Sequence, residues 1–215
     1  YRSKDIVSGD IYWVDKTANK TFFAVIDCTG HGVPGAFMSI MAYNLIKQAI
    51  SESKLETPSL ILDDVNKNLR TMLKKQIGSV NDGMDIAICA YDRFNRTLEY
   101  AGAYNPLWLV KAGKVTEYKP DKFSIGLSSE EGARFTNQLI SVDKGDSIYI
   151  FSDGYADQFG GERGKKLMKK NFRNFLNEIY SLPMDQQKIL LMEKHDSWKG
   201  EHEQLDDICV IGMRV

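Results

Sequence analysis

Residues 11–50 read IYWVDKTANKTFFAVIDCTGHGVPGAFMSIMAYNLIKQAI, and the change of periodicity inside this stretch decides the fold class. Ile11-Tyr12-Trp13-Val14 and Thr21-Phe22-Phe23-Ala24-Val25-Ile26 are short runs rich in aromatic and β-branched residues, separated by the polar Asp15 to Lys20. That pattern predicts an antiparallel hairpin. After the glycine-rich Cys28 to Gly35, the segment Ala36 to Ile50 places Phe37, Ile40, Met41, Leu45, Ile46 and Ala49 at helical spacing, an expected buried helix face.

Downstream, Thr57 and Pro58 read as a cap and a first helical residue. Leu60, Ile61, Val65, Leu69, Met72 and Leu73 continue a second helix, expected to run to Ile77 and close at Gly78. From Met84 the texture changes to short strands between turn residues: Ile86 to Tyr91, Leu98 to Ala101, Leu107 to Val110, Val115 to Tyr118, Phe135 to Val142 and Ser147 to Phe151. Helical patterning returns over Lys165 to Ile179 and Asp185 to Glu193, and an apolar strand, Ile208 to Met213, ends the chain. Two strands, two helices, a run of strands, two helices and a last strand predict a layered α+β fold. No internal repeat or linker interrupts it, so residues 1–215 read as a single domain.

Composition narrows the function. With 43% hydrophobic and 27% charged residues the chain is globular, and its net charge of −1 lacks the basic excess of a general nucleic-acid binder. Cys28, Cys89 and Cys209 are too few and too scattered for a disulfide framework or a zinc set, which fits a reducing, cytoplasmic setting. No apolar run approaches the ~20 residues that span a bilayer, so this domain is expected to make no membrane contact. The sequence begins at Tyr1 without a charged-then-apolar leader and reads as an excised domain.

Four aspartates share a placement. Asp27 and Asp153 end predicted strands, while Asp10 and Asp206 begin them. In an antiparallel arrangement the end of one strand lies beside the start of the next, so all four carboxylates can gather at one sheet edge. Each alone also suits a turn, where Asp bonds nearby backbone. Gathered, they repel one another and call for a cation, and oxygen-only ligands favour Mg²⁺ or Mn²⁺. A pair of such ions can hold a hydroxide for in-line attack on phosphorus.

The motifs around these residues are Ser8-Gly9-Asp10-Ile11-Tyr12-Trp13, Asp27-Cys28-Thr29-Gly30-His31-Gly32-Val33-Pro34-Gly35-Ala36, Phe151-Ser152-Asp153-Gly154-Tyr155-Ala156-Asp157 and Asp206-Asp207-Ile208-Cys209-Val210. In this order, from about Asp5 to Val215, they closely resemble the SpoIIE/RsbU branch of the metal-dependent protein phosphatases (PPM, protein phosphatase 2C-like). The resemblance implies a four-layer α-β-β-α sandwich of two mostly antiparallel sheets flanked by helices. It also implies two Mn²⁺ or Mg²⁺ ions and hydrolysis of phosphoserine or phosphothreonine on a protein by a metal-bridged water or hydroxide.

By the same resemblance, Asp27 is the bridging carboxylate and Cys28 supplies a backbone carbonyl where many relatives have Gly. Asp10 serves the second ion, and Asp27 and Asp10 are the catalytic pair. Asp153 and Asp206 complete the first site, Asp207 supports the loop, and Asp157 either binds an outer-shell water or caps a loop. The implied partners are a phosphorylated bacterial regulatory protein of the anti-anti-sigma (STAS) type and an N-terminal sensor or regulatory region of a longer protein. The branch also allows a homodimer. Other readings are a catalytically silent module of the same fold and a two-metal hydrolase of small phosphoesters.

The chain departs from the eukaryotic branch in two respects. His31 lies two positions beyond the general-acid His of those enzymes and reads as a loop residue beneath the site, and no phosphate-binding Arg stands beside Asp10, where Arg2 and Lys4 are only loose candidates. Gly30 to Gly35 lacks the Gly-Lys-Ser/Thr of a P-loop, and no Cys-x₅-Arg surrounds a cysteine. Tyr100, Tyr104, Trp108 and Tyr118 are expected to pack across strands. Arg163, Lys165, Lys166, Lys169 and Lys170 read as a solvated basic face, and His195, Trp198 and His202 as shapers of the loop before the last strand.

Overall fold

The hairpin forms with β1 (Ile11–Lys16) antiparallel to β2 (Lys20–Cys28), Ile11 standing opposite Ile26 and Lys16 opposite Thr21. The computed structural model describes residues 1–74, 82–126 and 132–215. After β2 come α1 (Gly32–Ser51) and α2 (Pro58–Lys74), then β3 (Met84–Asp92), β4 (Thr97–Ala103), β5 (Leu107–Lys111), β6 (Lys114–Tyr118), β7 (Gln138–Ser141) and β8 (Ser147–Phe151). A short α3 (Gly154–Asp157), the two-residue strands β9 (Phe159–Gly160) and β10 (Lys165–Lys166), α4 (Lys169–Ile179), α5 (Met184–Lys199) and β11 (Val210–Arg214) complete the chain. The expected end of the second helix, Ile77 with Gly78, lies outside the described residues.

Two large antiparallel sheets result, ordered β1-β2-β3-β4-β7 and β11-β8-β5-β6, beside the two-stranded β9–β10 ladder. Their central strands are buried on both faces, which is why Thr21 to Ile26 reads as a continuous apolar run rather than an alternating one. Along β2, Phe22, Ala24 and Ile26 face the layer that also contains Met38, Leu45 and Ile46 of α1 and Ile61, Val65 and Leu69 of α2. Phe23 and Val25, on the other face, meet Leu107, Leu109, Ile148 and Ile150 of the second sheet. On β8 the alternation repeats, with Tyr149 and Phe151 turned to Phe172, Leu176 and Ile179 of α4. Helices, sheet, sheet and helices therefore stack in four layers, the α-β-β-α sandwich of the expected α+β class.

Several local expectations are corrected. α1 starts at Gly32 rather than Ala36, because Pro34 falls in the first turn, where a missing N–H costs no helical bond. Phe37 and Ile40 are 65% and 58% exposed rather than buried, since α1 meets the sheet only through the face of Met38, Ala42, Leu45 and Ala49. α5 runs on through His195 and Trp198, so these are helical residues and not loop shapers, and His195 is buried. Tyr100 lies between the sheets and Trp108 beneath α4, whereas Tyr104 is exposed, so the four aromatics are not one cluster.

The hairpin, the following loop and α1 meet through glycines. A Cβ on Gly35 would lie 2.2 Å from the Gly30 carbonyl oxygen and 2.9 Å from the Gly9 Cα. Alanine in a helix normally gains about 1 kcal/mol over glycine, but here the clash dominates. Gly35→Ala is expected to lower the unfolding free energy by about 1–3 kcal/mol in urea denaturation, and a gain in stability would contradict the close approach.

Candidate metal centre

Register assembles the site. In the first sheet Asp27 of β2 stands directly opposite Asp85 of β3, and Asp10 immediately precedes Ile11, the residue paired with Ile26. In the second, Val210 pairs with Phe151, which brings the residues after β8 and those before β11 to the same end. Ser152 joins the two sheets there. Its hydroxyl donates to Asp10 Oδ2 and accepts the Cys209 N–H at 3.0 Å, while its own N–H donates to the Cys209 carbonyl at 2.9 Å.

The backbone around this end is closely packed. A Cβ on Gly154 would lie 2.0 Å from the Asp207 carbonyl oxygen, so only glycine lets the turn after Asp153 pass under the 206–207 segment. Asp207 is buried and accepts the N–H groups of Lys4 at 2.8 Å and Gly9 at 2.9 Å. It thus shapes the approach to Asp10. Asp206 is exposed, with one oxygen accepting the Asp207 N–H at 2.8 Å. Asp153 precedes α3 without spending its side chain as a helix cap.

Like charges here are close and poorly solvated. Burial, followed by repulsion from Asp10, Asp153, Asp206 and Asp85, pushes the Asp27 carboxyl up to about 9. Burial also raises Asp10 to about 7, with Asp207, Asp206 and Asp153 adding to the rise and the Ser152 hydroxyl opposing it. Asp153 is raised by burial and then by Asp206 and Asp157, partly offset by Lys169, and Asp85 is raised by burial, offset first by the Ser124 hydroxyl and then by Lys169. Among the described residues no three His, Cys, Asp or Glu side chains form a closed ligand cluster, so these carboxylates are electrostatic neighbours rather than a finished cage.

This donor set fits a hard divalent cation: carboxylates that repel one another and supply oxygen alone, buried at Asp10, half-buried at Asp27 and Asp153 and open to solvent at Asp206. The Cys28 thiol is pushed well up by burial and by Asp27 and Asp10, and its carbonyl lies at the end of β2.

Other expectations change. His31 is exposed, its Nδ1 2.8 Å from Asp5 Oδ2, and does not pack beneath the site. Asp157 is not seen to cap a loop among the described residues; one of its oxygens pairs with Lys166 at 2.7 Å. Arg2 is committed to Asp196, and Lys4 contributes its backbone N–H. Sequence reading missed the contributions of Asp85 and Ser152. The available signals were an acid at the start of the apolar strand Met84–Asp92 and a hydroxyl beside Asp153.

The sequence profile of the family described as Stage II sporulation protein E (SpoIIE) matches residues 17–215. The chain belongs to the SpoIIE family. The SiaA-PP2C domain of Pseudomonas aeruginosa is similar over 100% of this chain and 83% of its own, at 30% identity and a TM-score of 0.92. The PP2C phosphatase domain of SpoIIE from Bacillus subtilis, solved with a fragment of its regulatory domain, shares the fold at 19% identity and a TM-score of 0.77. The match covers 100% of this chain and 61% of that one. The RsbU and RsbW domains of a Mycobacterium tuberculosis protein match at 21% identity and a TM-score of 0.76, over 98% of this chain and 56% of that one. No curated protein sequence matches. This SpoIIE-family chain therefore has the PPM phosphatase fold.

The raised carboxyls set a pH dependence. A carboxyl whose pKa is higher in the folded chain binds its proton more tightly there, so its contribution to stability is complete below the unfolded value near 4. That contribution is lost as pH rises through about 7 for Asp10 and about 9 for Asp27. In chelator, the thermal midpoint is expected to fall from pH 5 to pH 9. Asp27→Asn should flatten the upper part of that fall and raise the midpoint at pH 8 by about 2–8 °C, equivalent to about 1–2 kcal/mol. Parallel slopes for both proteins in differential scanning fluorimetry would show that Asp27 carries no such burden.

Proposed function

We propose that this domain hydrolyses phosphoserine or phosphothreonine on a regulatory protein, using two Mn²⁺ or Mg²⁺ ions. The observation that carries the reading is the set of neighbouring carboxylates at the end of both sheets, buried at Asp10 and half-buried at Asp27 and Asp153, with Asp27 raised to about 9 by burial and by four other aspartates. Asp10, Asp27, Asp153, Asp206 and the Cys28 carbonyl would hold the cations. When bound, these ions supply the Lewis acidity and activated water for in-line hydrolysis of a phosphomonoester.

The chain's own groups prepare that chemistry. Ser152 holds one oxygen of Asp10 and leaves the other for a cation. Asp207 fixes the backbone before Asp10 through two N–H groups. Ionising Asp27 and Asp10, whose carboxyls are raised by burial, is part of cation binding. His31, paired with Asp5, is given no proton-transfer role.

The proposed substrate is a phosphorylated STAS-type protein, in keeping with a similar structure described as RsbU and RsbW domains. The domain is read as the C-terminal catalytic part of a longer cytoplasmic or membrane-anchored sensor. No helix among the described residues is long and apolar enough to cross a membrane. Support for regulation comes from α1, where Val33, Phe37, Ile40 and Tyr43 form an exposed apolar stripe beginning a few residues after Cys28. A regulatory region or a second copy covering that stripe would also set the loop that follows Asp27.

Phosphate release from a phosphoserine protein is expected to require Mn²⁺ or Mg²⁺ and to fall by at least about 100-fold in Asp27→Asn and Asp153→Asn, the scale of losing a major electrostatic group. Release that persists in both variants would reject the assignment. If wild type releases nothing and binds no Mn²⁺ in calorimetry, the silent-module reading replaces it. The isolated domain is further expected to turn over slowly until α1 is engaged, and rapid turnover by the fragment alone would overturn that regulation.

A further inference from the structure

We propose that the exposed basic ribbon from Arg163 to Lys170 is the docking surface for the phosphorylated partner, and that it selects a substrate protein whose surface beside the phosphorylated residue is acidic. The inference rests on the phosphatase reading and adds what recognises the partner away from the reacting phosphate. Residues 159–173 carry six basic side chains, Arg163, Lys165, Lys166, Lys169, Lys170 and Arg173, against the single acid Glu162, in a chain whose net charge is −1. The first five are exposed. Lys166 pairs with Asp157, and Arg173 pairs with Glu117 and lies over the Trp108 ring. Arg163, Lys165, Lys169 and Lys170 make no ion pair among the described residues.

The ribbon is fastened beside the candidate metal centre. Lys166 Nζ meets Asp157 Oδ2 at 2.7 Å, and the Asp157 N–H donates to the Asp153 carbonyl at 3.0 Å, so one turn of α3 separates the residue that anchors the ribbon from a proposed ligand. The backbone is held as well. β9 and β10 pair with Lys165 opposite Gly160 and Lys166 opposite Phe159. The Gly161 N–H donates to the Trp198 carbonyl at 2.7 Å, and the Leu167 N–H to the Gln158 carbonyl at 2.9 Å. A Cβ on Gly160 would lie 1.8 Å from that same Trp198 carbonyl oxygen, so the ladder lies directly on the end of α5. Surface connections of this kind are ordinarily mobile. Here the charges stand on a fixed backbone, which lowers the ordering cost of receiving a partner.

The sign and extent of the ribbon name the partner. Cations crowded together repel one another, and an acidic surface docking on them relieves that repulsion. The carboxylates of the centre oppose the approach of any acidic protein, so an attraction beside them is what such a substrate needs. Binding energy gained there, remote from the reacting phosphate, brings the phosphomonoester to the site. Because the whole chain is at −1, the residues outside the ribbon are net negative. A long polyanion such as nucleic acid would meet repulsion beyond the ribbon, whereas a compact acidic patch fits it.

The test compares wild type with the ribbon variant Arg163→Glu/Lys165→Glu and with a charge-matched control, Lys114→Glu/Lys144→Glu, whose exposed lysines lie at the opposite end of the second sheet, near the start of β8. The substrates, with Mn²⁺, are two phosphoserine peptides identical except for a run of Glu or a run of Gln beside the phosphoserine. Wild type should prefer the Glu peptide by about 5–20-fold in kcat/KM at low salt, mostly through KM, and the preference should shrink as NaCl is raised. In the ribbon variant the ratio should fall to about 1–2, while the control keeps the wild-type ratio. Fluorescence anisotropy of the unphosphorylated Glu peptide, which needs no turnover, should show binding weakened about fivefold or more in the ribbon variant alone. A wild-type ratio near unity, or a preference that the ribbon variant retains, overturns the proposal. Ribbon-dependent binding of single-stranded DNA tighter than that of the Glu peptide overturns the choice of a protein partner. Ribbon-dependent peptide binding by a wild type that hydrolyses neither peptide supports the docking surface and counts instead against the phosphatase reading.

Discussion

Several carboxylates held together at the end of two sheets is the constraint around which the molecule is arranged. Asp10, Asp27 and Asp153 are all raised by burial and then by neighbouring aspartates, Asp206 among them in each case. Such repulsion would push separate strands apart. It is resisted by the four-layer apolar packing, in which the central strands are buried on both faces, and by the Ser152 hydroxyl that bonds Asp10 across the gap between the sheets. The cluster is thus a local instability held in place by the core behind it.

The short motifs gain meaning from that arrangement. Gly9, Gly30 and Gly35 let the entry to β1, the loop after β2 and the start of α1 come together with no room for a Cβ on Gly9 or Gly35. Gly154 does the same for the turn under Asp207. These are packing requirements of the backbone that carries the acids. Asp207, which stands beside a proposed ligand in sequence, is a backbone organiser for the same reason: its two oxygens are occupied by N–H groups.

α1 links this end of the sandwich to the surface. One face packs on the first sheet through Met38, Ala42, Leu45 and Ala49, while Phe37 and Ile40 remain exposed. A helix anchored on one side, with its N-terminus a few residues from Asp27, is mechanically suited to pass an external contact to the carboxylates. On the opposite side α4 is pinned to the second sheet through Phe172.

Much was legible in the sequence because local chemistry is written locally. The β1–β2 hairpin, the start of α2 at Pro58 and the strand Ser147–Phe151 follow from periodicity and capping, and the ordered Asp motifs identified the family. The exposed side of α1, the helical His195 and Trp198, the pairing of Asp157 with Lys166, and the placement of Asp85 opposite Asp27 and of Ser152 against Asp10 were decided only by tertiary structure. Periodicity shows that a helix or strand has an apolar face, but which neighbour covers it depends on strand order and on contacts between residues more than a hundred positions apart, such as Ser152 with Asp10. By itself the sequence determined the elements and the acids at their ends. Packing decided which of those acids face one another, because charges interact through space and not along the chain.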